Sequence, residues 1–207
     1  MSPRSRMHCA PTALFQAITC NAKPSYSQRQ PTRKMSASAG SDAPTFESIG
    51  VKNTTVNSAA GVNLTFHQKL LVGSVLDLFE GKPTLKHLSL WDRNATFADP
   101  LTDAVGYDRF AAQWYGLPAV FGRIQLLSHK VVDAGNPIEM ELQNKYTAKV
   151  VGTTQEISSK VRIHVDAEGK KIEKVEDLWN GKQLPDGFVG EVRTWWCLRL
   201  MERRSFC

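Results

Sequence analysis

The chain has 207 residues, 42% hydrophobic, 22% charged and 9% aromatic, enough for one sizeable core and too little for two full domains. Its apolar runs fall well short of the ~20 residues that a membrane-spanning helix needs, so no membrane association is expected. The formal net charge of +6 does not describe a basic face, because residues 1–41 hold six basic residues and no acid while residues 42–207 hold 20 of each sign. A nucleic-acid surface is therefore not expected either.

Residues 1–43 are rich in Ser, Arg, Gln and Pro and show no apolar periodicity, so they read as a disordered leader or a mitochondrial transit peptide. The stretch from Ala13 to Ile18 is short and broken by Gln16, which argues against a secretory signal. Met35, followed by Ser-Ala-Ser, is an alternative cytosolic start. The expected compartment is cytoplasmic or mitochondrial. Cys9, Cys20, Cys197 and Cys207 lie near the ends with no CxxC pair and no Cys/His cluster, so a zinc site is not expected, and with no metal constellation or Gly-rich phosphate loop elsewhere no cofactor is expected.

Residues 44–62 read as a linker and residues 63–190 as the folded domain. Within it Leu64, Leu71, Val75, Leu78 and Phe79 recur at helical spacing, predicting a first helix from Asn63 to Phe79 with Gly81 as its stop. Pro83 and Thr84 open a second, short helix through Leu88 to Trp91. Residues 95–100 predict a strand ended by Pro100. Gly106 precedes a third helix whose face is Tyr107, Phe110, Ala111 and Trp114, closing near Gly116 and Pro118.

The period then changes to two, which marks a sheet. Strands are predicted over Gln125–Asp133, Ile138–Val151, Thr154–Val165 and Lys171–Trp179. In the second of them Ile138, Met140, Leu142, Asn144, Tyr146, Ala148 and Val150 share one face, and Glu139, Glu141, Lys145 and Lys149 the other. The fold class is α+β, three N-terminal helices packed on a curved, mostly antiparallel sheet with one wet face. Residues 191–207 have no clean stripe and form an atypical C-terminal segment in which Trp195, Trp196 and Leu198 would be sticky if exposed.

Three stretches carry a family resemblance: Leu-Trp-Asp-Arg-Asn-Ala-Thr-Phe-Ala-Asp-Pro at 90–100, Gly106-Tyr107 with Phe110 after it, and Asp166-Ala-Glu-Gly-Lys-Lys-Ile-Glu-Lys-Val-Glu-Asp-Leu-Trp179. In their order they resemble the NTF2-like superfamily, and its SnoaL-like branch in particular, over about 110 residues from Gln68 to Asn180. The resemblance implies a conical pocket between helices and concave sheet face. It is poorly specific for activity, since that superfamily includes isomerases, cyclases, dehydratases, hydrolases and proteins without chemistry.

Asp99 is similar in position to the proton-shuttling carboxylate of ketosteroid isomerases. The Tyr and protonated Asp that stabilise the enolate there fall on Val75 and near Val161 here, so steroid isomerisation by that route is disfavoured. The bland reading of Asp99 is a turn former before Pro100. Asp177 shares strand parity with Val175 and Trp179; if the indole lines the cone, so does the acid, and burial beside indole would raise its pKa. It is also similar in position to the water-activating Asp of limonene epoxide hydrolases, although the partners of that residue fall on Asn144 and Tyr146 here. Those two polar groups on an apolar strand face require partners, which are a ligand or one another. Tyr115 would reach the cavity mouth, and His164 would alternate to the polar face.

Two functions follow. One is a domain that binds a small apolar organic molecule in the cone and works, as an isomerase, cyclase, dehydratase or hydrolase without a cofactor, through Asp99 and Asp177. Asn144, Tyr146, Trp179, Tyr115 and Val175 would then contact the ligand. The other is a noncatalytic module that forms a homodimer or binds a partner through the outer sheet face. Whether there is an enzyme at all is left open by the residues. An open cavity of roughly 300 Å³ or more with both acids facing inward would favour the first, and a filled cone the second.

Overall fold

The computed structural model describes residues 43–149 and 152–179. The leader readings therefore lie outside the described residues except at Ala43, as do Val150 and the segment 191–207. What is described belongs to the unit Asp42–Cys207.

Residues 44–62, expected as a linker, are instead part of the packed layer. Thr45 and Ser48 form a reciprocal capping box that starts helix α1 (Phe46–Ile49), and Gly50 ends it at φ 82°. Ile49 and Val51 are buried in the main core, with Phe46, Val56 and Val62 packed against it. Ser58 bridges to Val131 of the sheet. Four residues make too short a helix for periodicity to reveal it.

Thr65 and Gln68 form a second capping box at the start of α2 (Phe66–Phe79). All ten residues from Leu70 to Phe79 are buried, so this helix is wrapped on every side rather than amphipathic. Gly73 permits that wrapping: a Cβ there would lie 2.4 Å from the Asn53 carbonyl oxygen and 2.9 Å from Val51 Cγ1. Helix α3 (Leu85–Leu88) stops short of the expected Trp91 because Trp91 already begins a strand.

Strand β1 (Trp91–Asp99) turns through Pro100 and Leu101 into β2 (Thr102–Val105), a strand too short for its pattern to reveal. Helix α4 (Tyr107–Val120) runs beyond the predicted stop, through Pro118. The proline gives up the bond of its own N–H and its ring crowds the carbonyl four residues back, and the helix ends two residues later. Strands β3 (Phe121–Asp133), β4 (Ile138–Ala148), β5 (Thr154–Val165) and β6 (Ile172–Trp179) complete the sheet.

The result is a mixed α+β fold with an open, six-stranded curved sheet in the order β2-β1-β6-β5-β4-β3. Among the described strands only the β1–β6 pair is parallel. The helices do not form an uninterrupted N-terminal trio: α1 precedes them, and β1 and β2 intervene before α4. Register shifts along β3 bend that edge of the sheet. Burial alternates along β4 as predicted from Ile138 to Ala148. Met140, Val161, Ile163, Ile172 and Val175 meet α2 and α4 in one core, to which each buried large apolar side chain contributes about 1.5–3 kcal/mol. Among the described residues no helix is long and apolar enough to cross a membrane.

Candidate functional site

A second, smaller apolar cluster lies apart from the main core. It consists of Phe121, Tyr146 and Ala148, with Leu101, Leu117, Val120, Ile124 and Ile157 half-buried around them. Between the two clusters is a cavity of about 70 Å³. Its buried lining includes Phe79, Phe97, Trp114, Asn144, Tyr146 and Asp177, and its half-buried lining includes Leu101, Thr102, Leu117, Val120, Ile157 and Trp179. The volume is well above the 10–15 Å³ that one water needs and well below that of pockets for drug-sized ligands, about 300–1,000 Å³.

Sheet register explains why two acids meet here. Phe97 pairs with Val175 and Ala98 with Glu176 in the parallel β1–β6 ladder, so the next place sets Asp99 beside Asp177. Neighbouring strands are about 4.8 Å apart. Asp99 Oδ1 accepts the Leu101 backbone N–H at 2.8 Å, closing the turn before β2. Its Oδ2 faces the Gln113 amide, which donates at 3.4 Å. The turn-forming and cavity-lining readings of Asp99 thus describe different oxygens of one carboxyl.

Asp177 is 6% exposed and accepts the Trp179 indole N–H through Oδ2 at 2.9 Å. Its Oδ1 is buried with no hydrogen-bond partner. Burial pushes both carboxyls up from the ordinary range, Asp99 to about 6 and Asp177 to about 6. For Asp99 the backbone of Leu101 and Thr102 offsets part of that rise. For Asp177 hydrogen bonding from Ser159 and Trp179 offsets part, and the charge of Asp99 adds to it. Ser159 stands close enough to lower the pKa of Asp177, but only Trp179 meets hydrogen-bond geometry. Two acids this close lose their protons as a pair, the second resisting the charge of the first.

Asn144 and Tyr146 satisfy one another in part. Asn144 Nδ2 donates to Tyr146 Oη at 2.9 Å and to the Phe79 carbonyl at 3.3 Å, which fixes the amide so that Oδ1 is left buried without a partner. Burial raises the Tyr146 phenol above its usual range, and the charges of Asp177 and Asp99 push the same way. It therefore keeps its proton and can donate it.

Asp99, Asp177, Asn144, Tyr146 and Trp179 all line this cavity. Tyr115 and Val175 do not. Tyr115 is 42% exposed, because the 100° step of a helix carries it off the face that Trp114 buries. Val175 is fully buried in the main core, below Asp177 on the same strand face. Gln113, Ser159 and Thr102 also line the cavity, and the sequence reading misses all three. Gln113 lies three places after Phe110 on the helix stripe, and Ser159 falls in phase with Ile157 and Val161, so both carry a readable signal. His164 points outward to Glu176 at 3.0 Å, as its parity predicts. Among the described residues no group of three or more His, Cys, Asp or Glu could hold a metal.

No family model matches the chain, and no curated protein matches it significantly in sequence. Solved structures do match. A steroid delta-isomerase from Pseudomonas aeruginosa superposes with a TM-score of 0.52 at 14% identity, over 70% of this chain and 99% of that one. A protein described as a SnoaL-like polyketide cyclase, from Jannaschia sp. CCS1, gives 0.48 at 11% identity over 58% and 92%. An NTF2-like protein of unknown function from Exiguobacterium sp. 255-15 gives 0.45 at 15% over 54% and 99%. At these identities the likeness is one of fold alone, the fold shared with the steroid delta-isomerase.

Proposed function

We propose that the NTF2-like cone of this chain binds a small, largely apolar organic molecule and moves a proton on it through the carboxyl pair Asp99 and Asp177. The observation that carries this reading is the pairing of the two acids in one apolar-walled cavity with Asp177 Oδ1 unpartnered. With pKa values of about 6, the pair near neutral pH can hold one carboxylate as base while the other still returns a proton as acid. Tyr146 is a third group able to donate to an oxygen that gains charge. Asn144 and Trp179 would orient the bound molecule. A cavity of about 70 Å³ suits a substrate much smaller than a steroid.

The test is deuterium exchange followed by NMR. Small ketones and aminoketones in deuterated buffer should lose α-protons faster with the protein than without it. Asp99→Asn or Asp177→Asn should slow this by about 10²–10⁴-fold. No exchange with any compound, together with no change in the Trp179 indole signal, would sink the reading.

The small cavity volume also favours a second reading, a noncatalytic dimerisation or interaction module. Its outer sheet face carries the pairs Lys160–Glu139, Arg162–Glu139, Lys145–Glu156 and Lys174–Glu176. A homodimer through that face would weaken as salt rises, which sedimentation at two ionic strengths would detect.

A further inference from the structure

We infer that the molecule held between Asp99 and Asp177 is a small organic cation, an alkylammonium with at least one N–H and compact apolar groups. This rests on the reading of the cavity as a binding site and names the class of molecule it takes.

Three independent features of the lining point the same way. The first is its unpartnered polar atoms. Asp177 Oδ1, Asn144 Oδ1 and Gln113 Oε1 are buried without hydrogen-bond partners, and all three are acceptors. Trp114 Nε1 is the one such donor among the described lining residues. The two amides are not interchangeable with their flipped forms, because Asn144 must donate to the Phe79 carbonyl and Gln113 turns its nitrogen toward Asp99. Residues this buried, Asn144 at 1% and Gln113 at 6% exposure, call for a donor from the bound molecule.

The second feature is charge. The titratable groups facing the cavity are Asp99 from β1, Asp177 from β6 and Tyr146 from β4, and no Lys, Arg or His lines it among the described residues. Two neighbouring carboxyls without a cation resist ionisation together. A bound ammonium removes that resistance, whereas an anion would add to it. A neutral alcohol supplies a donor and leaves the charge unbalanced.

The third feature is the wall. Phe79, Phe97, Trp114, Phe121, Tyr146 and Trp179 surround the acids, and aromatic faces attract cations while accommodating the alkyl groups beside the nitrogen. Acceptors alone would fit water, and aromatic rings alone would fit any apolar solute. Their combination with an acid pair selects an organic cation.

The experiment uses three probes of one shape: tert-butylammonium, tert-butanol and pivalate. The full chain is titrated with each at pH 8 and pH 5, following the Trp179 indole N–H signal, which reports on Asp177 through their hydrogen bond. Tert-butylammonium should bind at least tenfold more tightly than tert-butanol at pH 8, and pivalate should not bind. Because the ion binds the ionised pair, its affinity should fall as pH drops below about 6, by up to about tenfold per unit for one proton. Asp177→Asn and, separately, Asp99→Asn should each cost the ammonium at least tenfold and leave tert-butanol nearly unchanged. Thermal unfolding would establish that each variant is folded.

Equal binding of tert-butanol and the ammonium would overturn the cation while leaving the cone as a binding site. Preference for pivalate would overturn it in the same way. Silence from all three probes would overturn both the cation and the binding reading beneath it.

Discussion

Asp99 and Asp177 occupy adjacent places on two parallel strands, β1 and β6, and so face one another from elements separated by 72 or more residues of chain. Cross-strand like charges are ordinarily destabilising. Here both lie in a cavity, where burial raises their pKa values and, for Asp177, the charge of Asp99 adds to the rise. The stability cost of burying the pair can be measured.

Stability should fall as pH rises between about 4 and 6. The folded-state pKa of Asp177 is raised from 3.8 to about 6, so over this interval the native state holds a proton that the unfolded chain releases. The contribution is fully present below the unfolded value and is lost as pH passes the folded one. A shift of about two units corresponds to about 3 kcal/mol for this nearly buried group. Asp177→Asn should therefore stabilise the protein at pH 8 by about 1–3 kcal/mol and change little at pH 4. Thermal or urea unfolding at the two pH values checks it, and an equal effect at both would contradict the linkage.

Trp179→Phe should push the Asp177 pKa further up. The indole N–H stabilises the ionised carboxylate at 2.9 Å, and its loss leaves both oxygens of the group without a well-formed bond. A carbon-13 titration of the aspartate carboxyls should show one inflection moving above 6. An unmoved inflection would mean that the bond is already absent in solution.

Asp77 supports the structure rather than the site. It is fully buried in α2 and accepts the Lys52 amide at 2.7 Å, the Asn53 amide at 3.2 Å and the Asn53 side chain at 2.8 Å, with His87 Nε2 at 3.3 Å. Burial pushes its pKa up, but the nearby His87 ring and the backbone bond from Lys52 outweigh it and the net shift is downward. Asp77 thereby contributes stability above its unfolded pKa that is lost as pH falls through the still lower folded value. Asp77→Ala should cost about 3–5 kcal/mol and accelerate amide exchange at Lys52 and Asn53. Unchanged exchange there would show that the segment is held by other contacts.

Gly73→Ala is expected to destabilise even though alanine is the better helix former by about 1 kcal/mol. Its methyl would sit 2.4 Å from the Asn53 carbonyl, a backbone atom that cannot swing aside. A net loss of about 1–3 kcal/mol should appear in urea unfolding. Gly169→Ala, at a φ of 69° with open space around it, serves as a control for turn strain without crowding.

Much of this protein is legible in its sequence because the rules involved are local. Period-two alternation in β4 depends only on neighbouring residues, so the strand pattern alone assigns Asn144 and Tyr146 to the concave face. The same parity places Asp177 with Trp179, and the Asp-Pro at 99–100 marks the other acid at a strand end. Helical spacing and the stop at Gly81 locate α2 to within a turn. Other features depend on contacts between distant segments. Nothing local marks residues 44–62 as core, because their burial is created by Asp77 and Gly73 on a helix that follows them. Parity assigns Val175 to the same face as Asp177 but cannot say how deep the cone is filled, and depth is what separates core from cavity wall. The nearness of Asp99 to Asp177 follows from one parallel pairing, β1 with β6, and strand pairing is fixed by the packing of the whole sheet rather than by either strand alone.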